Sequence, residues 1–473
     1  RFRQLMVGAA VGGGMAGVAV NAAVDVVTLH TRATIGDAAV VRAADSVLLN
    51  AQGSEDITAV SASAGAGVVG VAAAVAAIVV HAQAHAVVGA NVVIDAGGNV
   101  LVRADDDTDL ATFAGGLGAG FVGVGMGVAV VSYTKDTRAS IGQGSTVDAR
   151  AQGFSDLFGI PLGSATDTAF PTATQRGLAV VATSSQDVFG MAVSGGGGFV
   201  GAAGAVNVTL LTGDTIATIE PNVRVNPDRA GAGALQSVSV SAADRTTSFT
   251  LGGGLGVGFV GVAGGVDIGV VDIAVAAGVG AGAQVTASRD VKVQAMSVRR
   301  ITTFAVSVGA GVVGVAGSVS VWSAGTDPSS TFDDGSGSRD ALHMSGGSTP
   351  QQDADGFASG SGSNGYASIL NGAQDSSGSK TAQRKQTGLA AATAGVVAPG
   401  AGLVPGRPSV PAVRGTTSSI GVGATIVAGR DIAVIAVLAG ITAALGFPPA
   451  SHTPISPSPT TPASTPRSCR PKS

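Results

Sequence analysis

GAGVVG, residues 65–70, recurs unchanged at residues 309–314. Both copies fit G-x-G-x-x-G, the spacing of a dinucleotide-binding turn. The same spacing occurs in GGGMAG (12–17), GAGFVG (118–123), GGGFVG (196–201) and GVGFVG (256–261). The final glycines are Gly17, Gly70, Gly123, Gly201, Gly261 and Gly314, so the intervals run 53, 53, 78, 60 and 53. Six copies at a nearly constant interval describe a tandem repeat with two enlarged members. A repeat has to be settled before any motif inside it is read.

Other landmarks keep the same period. A second anchor follows each final glycine: Gly36, Gly89, Gly142, Glu220 and Gly280 in the first five units, and Gly421 in the sixth, where 88 extra residues intervene. A V-x-V-x-A strand follows each anchor, as VLLNA at Val47, VLVRA at Val100, VSVSA at Val238, VKVQA at Val291 and IAVIA at Ile432. The third unit breaks there, with FSDLFGIPLGSATDTAFPTATQRG inserted. The insertions are expected between strands, as loops on a repeating scaffold.

The stretches after the glycines alternate: VAVNAAVDVV from Val18, VNVTLL from Val206, VDIGVVDIAV from Val266 and VSVWS from Val319. Period-two alternation with β-branched residues predicts strands, and Gly, Ser, Thr and Asp between them predict turns. The helix that must follow a dinucleotide-binding turn has no counterpart. The acid that would hold a ribose is present as Asp37 but is Ala90 and Gln143 in the equivalent units. No cofactor is therefore expected. The glycines are read as architectural, letting backbones approach and tolerating positive φ at corners.

The chain is expected to be all-β, a parallel β-solenoid of 53-residue repeats. About three coils of roughly 18 residues per unit, each rising about 4.8 Å, would make a rod on the order of 85 Å long. An antiparallel arrangement, with the Gly-rich stretch as a hairpin, would give the same period. The expected organisation is solenoid repeats over 1–324 (units starting near 12, 65, 118, 196, 256 and 309), a disordered Ser/Gly/Asp-rich insertion over 325–415, final solenoid strands over 416–447, and a disordered Pro/Ser/Thr-rich tail over 448–473. The insertion and tail offer little to bury against their ordering entropy.

Composition narrows the function. Gly accounts for 74 of 473 residues and aromatics for only 4%, which favours a thin core of Val, Ile and Ala. A net charge of −4 with no basic run lacks the footprint of a nucleic-acid binder. The single Cys469 can build neither a disulfide framework nor a zinc cluster. Arg1 and Arg3 before an apolar run imitate a signal peptide, but that run aligns with the first repeat. The chain reads as a fragment whose start and export signal lie elsewhere. AGAGVVGVAAAVAAIVV (64–80) is long and apolar enough to suggest a membrane span, yet its counterparts carry Asn21, Asp25, Asn207 and Asp267. Membrane association through the Gly/Ala/Val faces stays open, given a mean hydropathy of +0.44.

Few residues stand out as chemistry. His81 and His85 have zinc-helix spacing but no third ligand, and align with Thr28 and Thr134 and with Arg32 and Arg138, read as solvated turn edges. RADDDTD (103–109) and DADG at Asp353 hold hard oxygen ligands without a calcium motif, and the first reads as a polar turn. Phe121, Phe199 and Phe259 share one repeat position and are expected to stack as a core ladder. Trp322, Tyr133 and Tyr366 are too few for a sugar platform, and no Ser-His-Asp or paired-carboxylate arrangement recurs. No catalytic, cofactor or metal residues are expected.

The A-x-I-G-x-x-A/T-x-V phrase (RATIGDAAVV, RASIGQGSTV, SSIGVGATIV) and the V-x-V-x-A strand carry a resemblance over about residues 7–324 and 416–447. The chain resembles repeats of large bacterial filamentous adhesins, closest to the leukotoxin type and more broadly similar to filamentous haemagglutinin-like and autotransporter passenger regions. The resemblance implies a non-enzymatic stalk, secreted or on the bacterial surface, displaying loops to a protein or glycan of a host or neighbouring cell. It also implies an export partner, and brings no catalytic residues. Insertions 152–178 and 325–415 are the expected recognition surfaces. A membrane-active, toxin-like protein that inserts its Gly/Val/Ala faces into lipid is the alternative, and a carbohydrate-active β-helix enzyme a third reading.

Overall fold

The computed structural model describes residues 1–324, except 154, 167, 168 and 229, and residues 415–446. Asp353, Tyr366, Cys469, the Ser/Gly/Asp-rich insertion apart from Gly415, and the Pro-rich tail lie outside them. The described elements are all strands, arranged as a parallel β-solenoid with three faces.

One repeat makes one coil, not three. In the second coil the chain runs along β4 (Val47–Ala66), reverses at Gly67 and Val68, returns along β5 (Val69–Val88), turns into the short β6 (Val93–Ala96) and enters β7 (Val100–Ala119) of the next coil. β4 lies beside β7 with Val47 opposite Val100, and β5 beside β8 (Val122–Ile141) with Val69 opposite Val122, both offsets of 53 residues. Later offsets follow the sequence intervals: Val100 faces Leu178, Leu178 faces Val238, Val238 faces Val291, and Val291 faces Ile432. The tandem strands therefore pair parallel, and the antiparallel alternative falls. Long outgoing strands form sheet A, long returning strands sheet B and short strands sheet C. Seven strands along the main path of sheet A, at about 4.8 Å per step, rise only about 30 Å. Each 20-residue strand is itself about 65 Å long. The body is a broad slab instead of the 85 Å rod expected.

The strands stay long because their sequence never contradicts a ladder. The described prolines, Pro161, Pro171, Pro221 and Pro227, fall in the insertion and at corners, so no missing N–H interrupts the stacked long strands. At the base of the slab the three sheets enclose a core of Val100, Val102, Ile94, Ile141, Leu178 and Ile219 with alanines between. Burying each large side chain there stabilises by about 1.5–3 kcal/mol.

Toward the other end the core tapers until sheets A and B touch. A Cβ on Gly12, Gly65, Gly118, Gly196, Gly256 or Gly309 would come within 2.1–2.3 Å of the carbonyl oxygen six residues on, across the arch. A Cβ on the final glycines Gly17, Gly70, Gly123, Gly201 and Gly261 would strike the end of a sheet A strand in the following coil, as Gly70 does Ala119. G-x-G-x-x-G is thus the point of a wedge, where backbone meets backbone. At the corner between sheets B and C the second anchors do not supply the left-handed residue. That residue lies two positions later, as Ala38, Asn91, Gly144, Asn222, Gly282 and Gly423, with φ between 55° and 71°. Of the anchors, Gly89, Gly142, Gly280 and Gly421 instead admit the preceding coil, Gly142 facing the Gly89 carbonyl. Gly36, in the first coil, has open space where a Cβ would be.

The 88-residue insertion does not fall between strands. β18 (Val313–Ala324) and β19 (Thr416–Ile420) both pair with β15 (Val260–Val279), so the insertion interrupts one strand of sheet B. The apolar stretch 64–80 is a strand, an arch and a strand, and among the described residues no helix is long and apolar enough to cross a membrane.

Candidate functional site

The other insertion does build a surface. β10 (Leu157–Pro161) folds back antiparallel onto β11 (Thr172–Gly197), and Leu157 and Ile160 bury against Ala179, Val181 and Leu101 on the outward side of sheet A. Neighbouring coils grip its backbone: Arg103 donates to the Phe158 and Gly159 carbonyls at 2.7 and 2.8 Å, Asn99 to Ser155 at 2.8 Å and Gln294 to Pro161 at 2.5 Å. These donors come from coils on both sides of the insertion, so sheet A holds it as a fixed overhang.

Beside the overhang opens a cleft of about 320 Å³. Its cations are Arg176, Arg289, Lys292 and Arg430, against the carboxylates Asp156 and Asp290, an excess of positive charge on a chain of net −4. Arg176 holds Asp156 at 2.5 Å. Arg430 grips Asp290 through two nitrogens at 2.8 and 2.6 Å, which keeps that carboxyl below the ordinary range. Two smaller clefts open on the same side. One, about 290 Å³, brings Asp56, Asp109 and Asp187 of consecutive coils beside Phe189 and Phe249. Burial, then the neighbouring Asp107, Asp187 and Asp56, raises the Asp109 pKa. The other, about 280 Å³, lies between Asp105, Phe170 and Arg245.

RADDDTD is no turn. It lies within β7, with Asp106 buried on the inward side in register with Gly53 and Ser184. There it belongs to a polar row inside the slab. Lys135 Nζ donates to the Asp106 carbonyl at 2.9 Å, to Thr108 Oγ1 at 3.2 Å and to the Ser185 carbonyl at 3.1 Å, and lies 3.5 Å from the Asp106 carboxylate. Thr108 donates to Glu55 at 2.8 Å. Two coils beyond Asp106, Asp244 accepts from Gln186 at 2.9 Å and Thr246 at 3.1 Å, with its pKa raised by burial. Strand parity carried the signal: Asp106 shares the inward phase of Val100, Val102 and Ala104, Glu55 that of Val47 and Leu49.

Burial and the adjacent Asp106 push the Glu55 pKa up to about 7 from 4.5. The folded state then holds a proton that the unfolded chain has released between those values. Stability falls as pH rises through that window, by up to about 3 kcal/mol. Urea unfolding of Glu55→Gln should lose this slope, leaving the variant the more stable protein at pH 8. A wild-type profile that is flat from pH 5 to 8 would contradict the assignment.

Two aligned pairs prove to be strand residues. His81 and His85 lie on the outward side of β5, half-buried and opposite Thr28 and Arg32, not at turn edges. His85 Nε2 is 2.8 Å from Asp136, whose pKa, despite burial, the His85 hydrogen bond and Arg138 hold down. Among the described residues no group of His, Cys, Asp or Glu is placed to hold a metal ion. Phe121, Phe199 and Phe259 do stack, with centroids 4.9 and 5.0 Å apart, but at the exposed arch instead of in the core. Trp322 turns inward and donates to Asp267 at 2.9 Å, and Tyr133 is wholly buried, so neither offers a sugar platform.

Comparison with protein-family models, curated proteins and solved structures gives no match.

Proposed function

We propose that this chain is a structural and adhesive segment of a secreted or surface-exposed bacterial adhesin, with a non-enzymatic solenoid presenting the 152–178 insertion to a protein or glycan of another cell. One observation carries the reading. The insertion is clamped by coils on both sides, and the clefts described above open on the same outward side of sheet A. A stacked repeat that clamps a polar insertion beside a cationic cleft is built to present it. The adhesin family and the location outside the cell rest on the resemblance of the repeat phrases.

Deleting residues 152–176 restores the 53-residue interval between Val100 and the strand beginning at Leu178. Labelled full-length chain should bind fixed epithelial or bacterial cells saturably, and the deletion should abolish binding while far-ultraviolet dichroism keeps its strand signal. Equal binding by the deletion, or turnover of a polysaccharide by the wild type, would overturn the reading.

A further inference from the structure

Charge is segregated along the strands. In successive coils no Asp, Glu, Lys or Arg occurs over residues 4–24, 57–80, 110–134, 188–213, 246–266 and 301–324, each window straddling the arch. The residues that break the windows nearest the arch, Asp25 and Asp267, are buried. At about 3.3 Å per residue, the arch stands on the order of 40 Å from Asp109 on one side and Lys135 on the other.

The arch itself is an exposed apolar ridge. Its outermost residues are Met15, Val68, Phe121, Phe199, Phe259 and Val312, one per coil, and the phenylalanines are 59%, 47% and 48% exposed. Stacking at about 5 Å fixes the rings as one continuous edge. Exposed Val11, Leu117, Leu255 and Val308 extend it onto sheet A, and Val69, Val313 and Val315 onto sheet B. Contiguous exposed apolar surface of this kind marks an interaction site.

We infer that this ridge docks on a lipid surface, its side chains entering the boundary between headgroups and acyl chains. Three features favour lipid over a protein. The edge is convex and narrow, because glycines bring the two sheets into backbone contact, so a rigid flat partner gains little area while lipid conforms to it. It is apolar on both flanks as well as at the crest. The backbone of the central coils is paired to coils on either side, so shallow entry strands no unpaired amide there. With the nearest exposed charges beyond the Debye length of about 8 Å, the attraction is hydrophobic and needs no anionic lipid. The ridge lies at the opposite end of the strands from the cationic cleft, so the two proposals stand or fall separately.

The test is flotation of the full chain with pure phosphatidylcholine vesicles at low and high salt, and with vesicles containing phosphatidylserine. Binding should be salt-insensitive and similar for both lipids. The triple variant Phe121→Ser, Phe199→Ser, Phe259→Ser changes exposed side chains, so its unfolding midpoint should hold while partitioning falls at least about tenfold. Phe199→Trp should shift its emission to the blue on vesicles and be quenched by brominated acyl chains. Failure to float, binding that requires phosphatidylserine and dissolves in salt, or an unquenched Trp at position 199 would overturn the inference. So would ridge-dependent self-association of the wild type in place of lipid binding, since a second copy would then be the occupant.

Discussion

Gly256→Ala should destabilise the chain by about 3 kcal/mol or more, while Gly264→Ala, eight residues away in the same coil, should be neutral or stabilising by up to about 1 kcal/mol. The contrast isolates close approach from glycine's conformational freedom, because neither residue has a left-handed φ. A Cβ on Gly256 would lie 2.2 Å from the Val262 carbonyl oxygen, and only movement of one sheet away from the other could relieve it. At Gly264 the Cβ would meet nothing within 4 Å, and alanine mainly restricts the unfolded chain. Urea denaturation of both variants decides it. Equal effects would mean that the two sheets are not in contact at the arch.

Lys135→Met should cost about 3–5 kcal/mol, the expected penalty for removing one partner of a buried ionic group. The ammonium is 3% exposed and is held by two carbonyls and a hydroxyl close to Asp106 and Glu55. Methionine fills the space but leaves both carboxyls without their facing cation. The deficit should be larger at pH 8 than at pH 5, where Glu55 takes up a proton. Adding Glu55→Gln should recover part of the loss. Additivity in the double variant would show that the two groups do not interact.

The sequence disclosed the period completely: the 53, 53, 78, 60 and 53 spacing of the glycines reappears as the register offsets between strands. It concealed the coil because strands average about 5–6 residues, and Gly, Ser and Asp within a 20-residue strand imitate turns. Asp105 to Asp107 illustrate this, since alternation carries the strand straight through them. Equivalence between units also predicted that Phe121, Phe199 and Phe259 stack. It could not say on which side of the backbone, because Gly67 and its counterparts end the alternation one residue earlier. The overhang was legible as an insertion. Its grip on Arg103, Asn99 and Gln294 was not, because those donors come from other coils and depend on the tertiary path.

The coil is far wider than its rise, and this makes the protein mechanically anisotropic. Adjacent coils 2 and 3 meet through two runs of 20 aligned residues and one of 4. Tension along the stacking axis loads these ladders side by side, so that many bonds must rupture together. A force applied at one corner of a terminal coil peels the same bonds in succession and meets far less resistance. Such a slab therefore withstands a load spread across a whole coil far better than the same load applied at one corner.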